Sequence, residues 1–334
     1  MPVSVRDVAR KAGVSVGTVS NVLNSPDKVS NRTASLVQEA IAALGFVRND
    51  AARQLRAGKS RSIGLVVLDV RNPFFADVAR GAEEVAEGHG LSVLFANSDE
   101  NSDREKNLLV LFEEQRVAGI LVSPLTSELE DIVRIRDRGT PVVLVDRKSK
   151  NKSFSSVSVD DVAGGFMAAD HLIEIGRRKL MFAGGPMEIE QISDRFKGAQ
   201  KAADARGVKL EFCATKNLTV LEGRALAAEI LTRPKNLRPD GIFAANDLLA
   251  LGIMQVLVVA PDVSIPKDIA LVGYDDISFA GTALISLTSI RQPSLLIGAQ
   301  AVELLIEETE DVQGFKKRQV VFQPELVVRD SSRG

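Results

Sequence analysis

VRDVARKAGVSVGTVSNVLN, residues 5 to 24, is the stretch that decides the fold of the N-terminal part of this chain. Ser4 precedes it and Asp7 follows three residues later, which predicts a capping box at the start of a helix. Apolar residues then recur at helical spacing until Gly13, which predicts a left-handed end to that helix. Ser15 predicts the cap of a second helix after a very short turn. Two short helices joined by a tight turn that contains glycine are typical of a helix-turn-helix.

The second of these helices is expected to carry a polar outer face. If it buries Val19 and Leu23 against the first helix, the residues that point outward are Val16, Gly17, Ser20, Asn21 and Asn24. A face of small and polar side chains suits entry into the major groove of DNA. The alternative is an ordinary helical hairpin with no role in DNA binding.

Charge favours the DNA-binding alternative. Residues 1–62 contain 10 Lys or Arg and 4 Asp or Glu, a balance of +6, whereas the remaining residues contain 32 and 40, a balance of −8. The basic charge therefore lies on the segment that carries the helix-turn-helix. This distribution is typical of a nucleic-acid-binding module attached to an acidic body.

Length and composition narrow the class of protein. A chain of 334 residues predicts two or three domains, and 45% hydrophobic residues can fill sizeable cores. One cysteine allows no internal disulfide, which favours a reducing cytosol. The N-terminus has charged residues and no apolar signal segment, and no apolar stretch reaches the roughly 20 residues of a membrane span. We therefore expect a cytoplasmic protein.

A third helix and a basic linker follow the helix-turn-helix. The third helix is predicted between Ser30 and Gly45, with an apolar stripe of Leu36, Val37, Ala40, Ile41 and Leu44. Three helices of this length can bury a small core.

The segment over residues 46–62 is either a solvated basic linker or a helix that forms only under certain conditions. Residues 50–57 are good helix formers, but a helix this short is marginal in water, where about 12 residues are needed. Leu55 lies between Arg53 and Arg56 with nothing local to bury it. A leucine flanked by arginines is suited to wedging open a DNA minor groove.

The rest of the chain alternates strands and helices. Strands are predicted over 63–70, 91–97, 119–124 and 141–146, with helices over 74–88, 103–116 and 128–138 between them. A second series starts near Ser158, with helices over 161–176, 194–206, 221–233 and 246–258 and strands over 179–185, 240–246 and 269–276. The tail adds a helix over 294–308 and strands near 317–323 and 325–329.

This alternation predicts an α/β fold with two doubly wound parallel sheets in tandem. A cleft is expected between them, and ligands of such folds bind beyond the carboxyl ends of the strands. Polar residues follow five of the predicted strands, namely Arg71 and Asn72, Asp146 and Arg147, Gln191 and Arg195, Asn246 and Asp247, and Asp275 and Asp276. Such side chains form the bidentate hydrogen bonds that fit vicinal hydroxyls.

Each of these residues also has a purely structural explanation. Asn246 and Asp275 could be helix caps, and Asp146 with Arg147 could form a surface ion pair. Phe74 and Phe75 could stack on the apolar face of a sugar ring, or they could belong to the core. Their convergence at equivalent strand ends of both units favours a binding site.

An enzyme is less well supported. Residues 184–186, Gly-Gly-Pro, lack the spacing of a phosphate loop, and Asp275 and Asp276 are sequence neighbours rather than an evident acid/base pair. His89 and His171 suggest structural or exposed positions rather than catalysis or metal binding. We therefore predict a protein that is not an enzyme and that needs neither a metal nor a cofactor.

Taken together, the sequence resembles the LacI/GalR family of bacterial transcription regulators over essentially all 334 residues. The body is also similar to ribose-type periplasmic binding proteins. The motifs that carry the resemblance are VRDVARKAGVSVGTVSNVLN, ALGFVRNDAARQLRAGKS, IGLVV with NPFF, PVVLVDR, DHLIEIGRRKL, DRFKGA, PDGIFAANDLLALG, IPKDIALVGYDDI and LTSIRQP.

The resemblance implies a dimeric repressor that binds a pseudopalindromic operator and responds to a small effector in the cleft. It divides the chain into a DNA-binding domain (1–47), a hinge helix or linker (48–61) and an effector-binding and dimerisation body (62–330). Within the body, one subdomain would span 62–160 and 292–321 and the other 161–291 and 322–330. The chain would cross between them near 159–163, 289–293 and 320–324.

The resemblance also assigns residues to DNA. Those expected in the major groove are Val16, Gly17, Ser20 and Asn21. Those expected at phosphates are Ser4, Ser15, Thr18, Ser20, Lys28, Asn31 and Thr33. Leu55 is expected to wedge into the minor groove, with Arg56 beside it. Many family members have arginine where this chain has Asn21, and asparagine pairs with adenine rather than guanine.

In the cleft, the positions that match ligand contacts of the family are Asn72, Phe74, Phe75, Asp146, Arg147, Gln191, Arg195, Asn246, Asp275 and Gln292. This set is closest to that of members that bind pentoses. Leu218 stands where several relatives have an aromatic residue, so a nucleoside or a phosphorylated sugar is an alternative effector.

The sequence leaves the class of protein and its control partly open. A solute-binding component of a transporter shares the body fold but has no use for residues 1–62. Corepression and induction look alike in sequence, and a partner protein could also act on the body. The chain ends RDSSRG without heptads, which favours a dimer over a tetramer held by a coiled coil.

Overall fold

A computed structural model of the chain describes residues 3–46, 60–149, 153–311 and 314–333. The described residues up to 46 belong to one compact unit, and those from Ser60 onward belong to a second. Throughout these ranges, no helix has the length and apolar character needed to span a bilayer.

The first unit is a bundle of three helices, as predicted. They are α1 (Val5–Ala12), α2 (Val16–Asn24) and α3 (Asn31–Leu44), with a 3-10 turn over Pro26–Lys28. Ser4 and Asp7 form the predicted capping box, Ser15 and Ser30 cap the next two helices, and Gly13 and Gly45 end α1 and α3 in the left-handed region. These caps satisfy amide groups that a helix leaves without partners, so the short helices can form.

The core of this bundle differs in detail from the prediction. Its buried residues are Val8, Ala9, Val19, Val22, Val37 and Ala40. Val22 is buried, whereas Leu23, which was predicted to be buried, is only half-buried. Leu36, predicted for the apolar stripe of α3, is 44% exposed. Adjacent residues of a helix lie about 100° apart, so a bundle this small covers Val37 and leaves its neighbour in solvent.

The second unit alternates strands and helices. Its strands are β1 (Ser62–Val67), β2 (Ser92–Asn97), β3 (Ile120–Val122), β4 (Val142–Val145), β5 (Ser155–Val159), β6 (Lys179–Gly184), β7 (Lys209–Ala214), β8 (Gly241–Ala244), β9 (Ala270–Asp275), β10 (Thr288–Arg291), β11 (Gln319–Phe322) and β12 (Glu325–Val327). Its helices are α4 (Pro73–Gly88), α5 (Ser102–Glu114), α6 (Glu130–Asp137), α7 (Asp161–Glu174), α8 (Glu190–Ala205), α9 (Val220–Thr232), α10 (Asp247–Leu257), α11 (Ser278–Thr282) and α12 (Ser294–Glu310), with a 3-10 turn over Lys235–Leu237.

These strands form two sheets, which define two subdomains. The sheet of the first subdomain has the order β11-β5-β4-β3-β1-β2, and that of the second has the order β12-β10-β9-β8-β6-β7. The strands are parallel except for β12, which pairs antiparallel with β10. The chain passes between the sheets after β5, after β10 and after β11.

Three strands were missing from the sequence prediction. β5 reads SSVSV, and its serines conceal a strand that is buried along its whole length. β7 is an edge strand with Glu211 at its centre, so only some of its residues face the core. β10 has four residues, too few to show a period. By contrast, β1 and β4 are continuous apolar runs, as expected for central parallel strands.

Three pairs of helices pack at very short range through glycines. In the pair α4–α12, a Cβ at Gly81 would overlap the carbonyl oxygen of Leu295, and one at Gly298 would overlap that of Val78. The same reciprocal contact joins α7 to α8 through Gly165 and Gly198, and α9 to α10 through Gly223 and Gly252. These pairs fix the helices whose N-termini reach the cleft.

Candidate functional site

The first wall of the cleft begins where β1 leads into α4. Asn72 is the N-cap of α4, and its Oδ1 accepts a hydrogen bond from the Phe74 amide at 3.1 Å. Pro73 at the first helical position needs no amide partner, so the sequence Asn-Pro starts the helix sharply. Phe74 and Phe75 are both buried and pack edge to face, with ring centroids 5.0 Å apart. Both rings line the cleft.

Asp146 follows β4 and faces the same space. It adopts φ 55°, in the left-handed region, and is 4% exposed. Gln191, at the start of α8 in the second subdomain, donates from Nε2 to the Asp146 carbonyl at 2.6 Å and to its Oδ2 at 3.1 Å. Burial, together with the nearby Asp161, raises the pKa of Asp146 to about 8. A hydrogen bond donated by a ligand would therefore favour the ionised form of this carboxyl and lower its pKa.

Asp275, at the end of β9, joins segments from both subdomains. Its Oδ2 accepts a hydrogen bond from Asn72 Nδ2 and its Oδ1 one from Gln292 Nε2, both at 2.8 Å. Burial raises the pKa of Asp275, while Arg195 opposes that rise. Nη1 of Arg195 lies 3.7 Å from Asp275 Oδ1. A single carboxylate thus ties together the ends of three segments beside the cleft.

Arg195 on α8 is the principal cation of the site, and it is almost fully buried. Nε donates to Asp161 at 2.8 Å, Nη1 donates to the Ala245 carbonyl at 2.8 Å, and the guanidinium lies 3.7 Å over the Tyr274 ring. Burial opposes its charge, but the surrounding carboxylates outweigh burial and raise the pKa of Arg195. The side chain is therefore held charged and in one orientation.

Asn246 caps α10, as the structural alternative proposed, and it also lines the cleft. Its Oδ1 accepts from the Leu249 amide at 2.9 Å, and its Nδ2 donates to the Leu218 carbonyl at 3.1 Å. Leu218 also lines the cleft, and it stands where relatives were expected to have an aromatic residue.

These residues enclose a small cavity of about 40 Å³ between the subdomains. Of the residues predicted for the site, Asn72, Phe74, Phe75, Asp146, Gln191, Arg195, Asn246 and Asp275 line it. Lining residues that the sequence prediction did not include are Leu68, Asp69, Glu100, Ile189 and Ile192. Asp69 and Glu100 follow β1 and β2, so extending the search for polar residues to every strand end would have found them.

Arg147 and Gln292 do not line this cavity. Gln292 lies behind the wall and holds Asp275. Arg147 points away from the cavity, donates to the Pro124 carbonyl at 3.2 Å and pairs with Glu190 at 2.7 Å. The left-handed turn at Asp146 sends the two consecutive side chains in different directions. Their contact with an effector stays a prediction.

The residues predicted to contact DNA occupy the outer side of the helix-turn-helix. Val16, Gly17 and Asn21 are exposed, and Ser20 is half-buried. Asn24 donates to the Ser20 hydroxyl at 3.2 Å. The hydroxyls of Ser4, Ser15 and Thr33 take part in helix caps, Thr18 contacts Ser15, and Lys28 and Asn31 are exposed. Leu55 and Arg56 lie outside the described residues.

Within the described ranges, no group of three or more His, Cys, Asp or Glu side chains could hold a metal ion. Asp146 and Asp275 instead accept hydrogen bonds from side-chain amides, and Asp275 also lies beside Arg195.

Comparison with known proteins covers both units. The family model described as bacterial regulatory proteins, lacI family, matches residues 4–49. The model described as a periplasmic binding protein-like domain matches residues 169–332.

Similar full-length proteins are known. The ribose operon repressor of Bacillus subtilis (strain 168) is 33% identical over 303 residues, which cover 91% of this chain and 90% of that protein. The HTH-type transcriptional repressor PurR of Photobacterium profundum is 31% identical over 336 residues, 98% of each chain. Among solved structures, a LacI family transcriptional regulator from Enterococcus faecium with bound ribose superposes with a TM-score of 0.73 at 25% identity, covering 81% of this chain and 98% of that one.

Proposed function

Because the chain belongs to the lacI family of bacterial regulatory proteins, we propose that it is a cytoplasmic repressor whose affinity for a pseudopalindromic operator depends on a small sugar in the cleft. The observation that carries this proposal is the buried junction of Asn72, Asp275 and Gln292 beside Arg195. It brings polar groups from the strand ends of both subdomains to one cavity. A ligand that binds there contacts both subdomains and can change how they are arranged.

A pentose is the effector that we favour. Phenylalanine rings on one wall can cover the apolar face of a sugar, and amide and carboxylate groups can bind its hydroxyls. Two relatives, a ribose operon repressor and a regulator with bound ribose, support this assignment. A nucleoside is the second candidate, because Leu218 leaves the cavity with aromatic rings on one wall only, and a phosphorylated sugar or a partner protein are further alternatives.

Thermal unfolding of the full chain tests the effector. A ligand at 100 times its Kd stabilises the native state by about 2.7 kcal/mol, so D-ribose should raise Tm clearly. Asp275→Asn should abolish that rise and the response of operator binding, whereas exposed Asp103→Asn should not. If ribose and other neutral sugars leave both Tm and operator binding unchanged, the sugar-responsive assignment is wrong.

In the DNA-binding domain, we propose that Asn21 makes the main polar contact to bases, beside Val16, Gly17 and Ser20. Asn21 is exposed, and its side chain makes no hydrogen bond within the described residues. Asn21→Ala should cost about 1–3 kcal/mol of discrimination at one base pair. Lys28→Ala should instead weaken binding to all sequences and reduce its salt dependence. The other proposed phosphate contacts are Ser4, Ser15, Thr18, Ser20, Asn31 and Thr33.

The proposed hinge covers residues 48–61 between the DNA-binding domain (1–47) and the body (62–330). There Leu55 would enter the minor groove with Arg56 beside it, and effector binding would alter the spacing of two such segments across a dimer. Leu55→Ala should weaken specific operator binding and leave effector binding intact. Unchanged affinity of that variant for its specific operator would contradict the proposed role of Leu55 in the minor groove.

For the dimer, an apolar surface patch of the second subdomain offers a contact for a second copy of the chain. It is formed by residues of α9, α10 and α11 and of the turns after α10 and α11. It includes Val259, Phe279 and Leu284, which are 78%, 55% and 85% exposed. Exposed apolar area of this kind marks an interaction site. Leu284→Asp should shift the molar mass in light scattering to that of one chain. Leu237→Asp, at an exposed leucine outside the patch, should leave a dimer.

A further inference from the structure

Several hydrogen-bonding atoms at the cavity are already paired with protein. Arg195 has committed Nε and Nη1, Asp275 has committed both oxygens, and Asn246 has committed its carbonyl to a helix cap. Within the described residues, Asp146 Oδ1 and Gln191 Oε1 are buried without a hydrogen-bond partner. A ligand that satisfies Gln191 Oε1, and Asp146 Oδ1 when that carboxyl is ionised, must therefore bring hydrogen-bond donors.

Glu100 adds a third free acceptor at the same cavity. It lines the space and is half-buried, and its carboxylate makes no hydrogen bond or ion pair within the described residues. The family resemblance and the strand-end prediction both leave Glu100 out of the site. Within the described residues, no side-chain hydrogen bond accounts for the position of Glu100 in the cleft.

The backbone holds Glu100 firmly in this place. Its amide donates to the Leu68 carbonyl at 3.0 Å, and the Ser98 amide donates to the Val67 carbonyl at 2.9 Å. Arg71 also bridges the two turns, because its Nη2 donates to Asp99 Oδ1 at 3.0 Å. The turn after β2 is thus attached to the turn after β1, which carries Asn72 and the start of the cavity wall.

Glu100 also has an unfavourable backbone and an unfavourable charge environment. Its φ is 52°, in the left-handed region that residues with a Cβ rarely adopt. The charged groups near it are Asp69 and Arg71 on the turn after β1, and Asp99 on its own turn, while Asp146, Asp275 and Arg195 occupy the other walls. Burial and the charge of Asp69 raise the pKa of Glu100 to about 7. Strain and buried charge at a cavity wall are typical of functional sites.

We propose that Glu100 is a specificity-determining residue of the effector site, where its carboxylate accepts a hydrogen bond from a neutral, donor-rich effector and excludes phosphorylated ones. This inference rests on the proposed function, because it concerns the effector of that same cleft. It separates the candidate effectors: a sugar or nucleoside fits, and a sugar phosphate does not. A phosphate brings negative charge and few donors to a cavity lined by Asp69, Glu100, Asp146 and Asp275, with Arg195 as its lining cation.

The site should also become more selective as pH rises. Glu100 ionises through neutral pH, and a carboxylate accepts a hydrogen bond more strongly than the neutral acid does. Affinity for a neutral donor should therefore increase between pH 6 and pH 8, and the penalty on a phosphate should grow over the same range. Asp146 titrates in this range too, so the part due to Glu100 is the difference between wild type and Glu100→Gln.

Calorimetric titration of the full chain with matched neutral and phosphorylated compounds tests this proposal. The pairs are D-ribose with D-ribose 5-phosphate, and inosine with inosine 5′-phosphate. Glu100→Gln removes the charge and keeps the side-chain shape, and Glu84→Gln at an exposed position of α4 is the matched control. One neutral compound should bind wild type at least about tenfold more tightly than its phosphate. Glu100→Gln should weaken that neutral compound by about tenfold and narrow the gap.

Each other result has a distinct meaning. If a neutral compound binds and Glu100→Gln behaves like Glu84→Gln in affinity and pH profile, the role of Glu100 is refuted while the proposed function stands. A phosphorylated compound that binds wild type as tightly as its neutral partner also refutes the role of Glu100. If no compound of either pair binds wild type, the sugar-type effector of the proposed function fails together with this inference.

Discussion

The two subdomains have the same sheet order but contribute different kinds of groups to the cleft. The second subdomain contributes Arg195, Asn246 and Asp275, and most of their hydrogen-bonding atoms are already paired with protein. The first subdomain contributes two aromatic rings and two carboxyls, those of Asp146 and Glu100, that retain free oxygens. The second wall is thus mostly a pre-organised polar scaffold with one unpaired acceptor, Gln191 Oε1, and the first wall has most of the unused acceptors.

This difference indicates how the cleft can bind a ligand without rebuilding itself. Side chains that are locked by protein partners lose little entropy on binding, which favours affinity. Free acceptors on the opposite wall then select which ligand is bound, because a wrong ligand leaves them unpaired. Four substitutions test whether the locked side chains stabilise the cleft while the unpaired acceptors select the ligand. They are ordered from the largest expected effect to the smallest.

The scaffold predicts the largest loss of stability at Arg195. Arg195→Met leaves Asp161 and Asp275 buried without their cation, and removal of one partner of a buried ion pair costs about 3–5 kcal/mol. Urea denaturation measures the free energy of unfolding. Lys197→Met is the control two residues along α8, where the pair of exposed Lys197 with half-buried Asp194 should contribute less than about 1 kcal/mol. Equal losses in both variants would show that Arg195 stabilises the fold no more than a surface ion pair does.

Asn72 connects the two walls and should show an intermediate effect. Asn72→Ala removes the cap of α4 and the hydrogen bond to Asp275, with an expected cost of about 2 kcal/mol. Asn101→Ala removes a cap of α5 at an exposed position and should cost about 1 kcal/mol. Urea denaturation of both variants gives the difference, which is the contribution of the bond across the cleft. No difference would mean that this bond adds nothing to stability.

Asp146→Asn should stabilise the ligand-free protein, and the gain should depend on pH. The folded pKa of about 8 lies above the ordinary value of Asp, so the native state holds a proton that the unfolded state has lost. Stability of the wild type therefore falls as pH rises from about 4 to 8. The variant lacks this fall, and its advantage in unfolding free energy should be on the order of 1 kcal/mol or more at pH 8 and vanish near pH 4. Urea denaturation across this pH range measures it, and Asp103→Asn should show no advantage between pH 6 and 8.

The smallest effect is expected at Leu218, and it would sharpen the comparison by adding an aromatic residue to the second wall. The Leu218 carbonyl, rather than its side chain, holds Asn246, so Leu218→Phe leaves the scaffold intact. A ring there should stack on the effector and add about 1 kcal/mol, or roughly fivefold in affinity. Leu221→Phe, at a residue that is 75% exposed, is the calorimetric control. Weaker binding by Leu218→Phe would indicate that the wall has no room for a second ring.

Much of this architecture could be predicted because strong local signals coincide with the final structure. The caps at Ser4, Ser15 and Ser30 depend on residues only three positions apart, so the sequence contains the whole interaction. Central strands such as β1 and β4 are buried on both faces and therefore appear as unbroken apolar runs. Because parallel strands end at one edge, the residues after them could be assigned to one cleft.

Other features depend on tertiary contacts that no local pattern records. Arg147 follows Asp146 directly, yet it turns to Glu190 because the backbone takes a left-handed turn between strand and loop. Glu100 reaches the cavity because its amide bonds to a residue 32 positions earlier in the chain. Leu36 has the spacing of a core residue, but the bundle is too small to cover it. In each case the deciding partner is distant in sequence.

The reciprocal glycine contacts between helices have a consequence for evolution. A side chain at any of these glycines would force two helix backbones apart. The pairs are Gly81 with Gly298, Gly165 with Gly198, and Gly223 with Gly252. Helices α4, α8 and α10 carry site residues at or near their N-termini, so separating a pair would displace those residues. The glycines should therefore be nearly immutable, whereas the strand-end residues beside them can vary. A descendant of this chain could acquire a new effector through substitutions at the cleft while its helix packing stays unchanged.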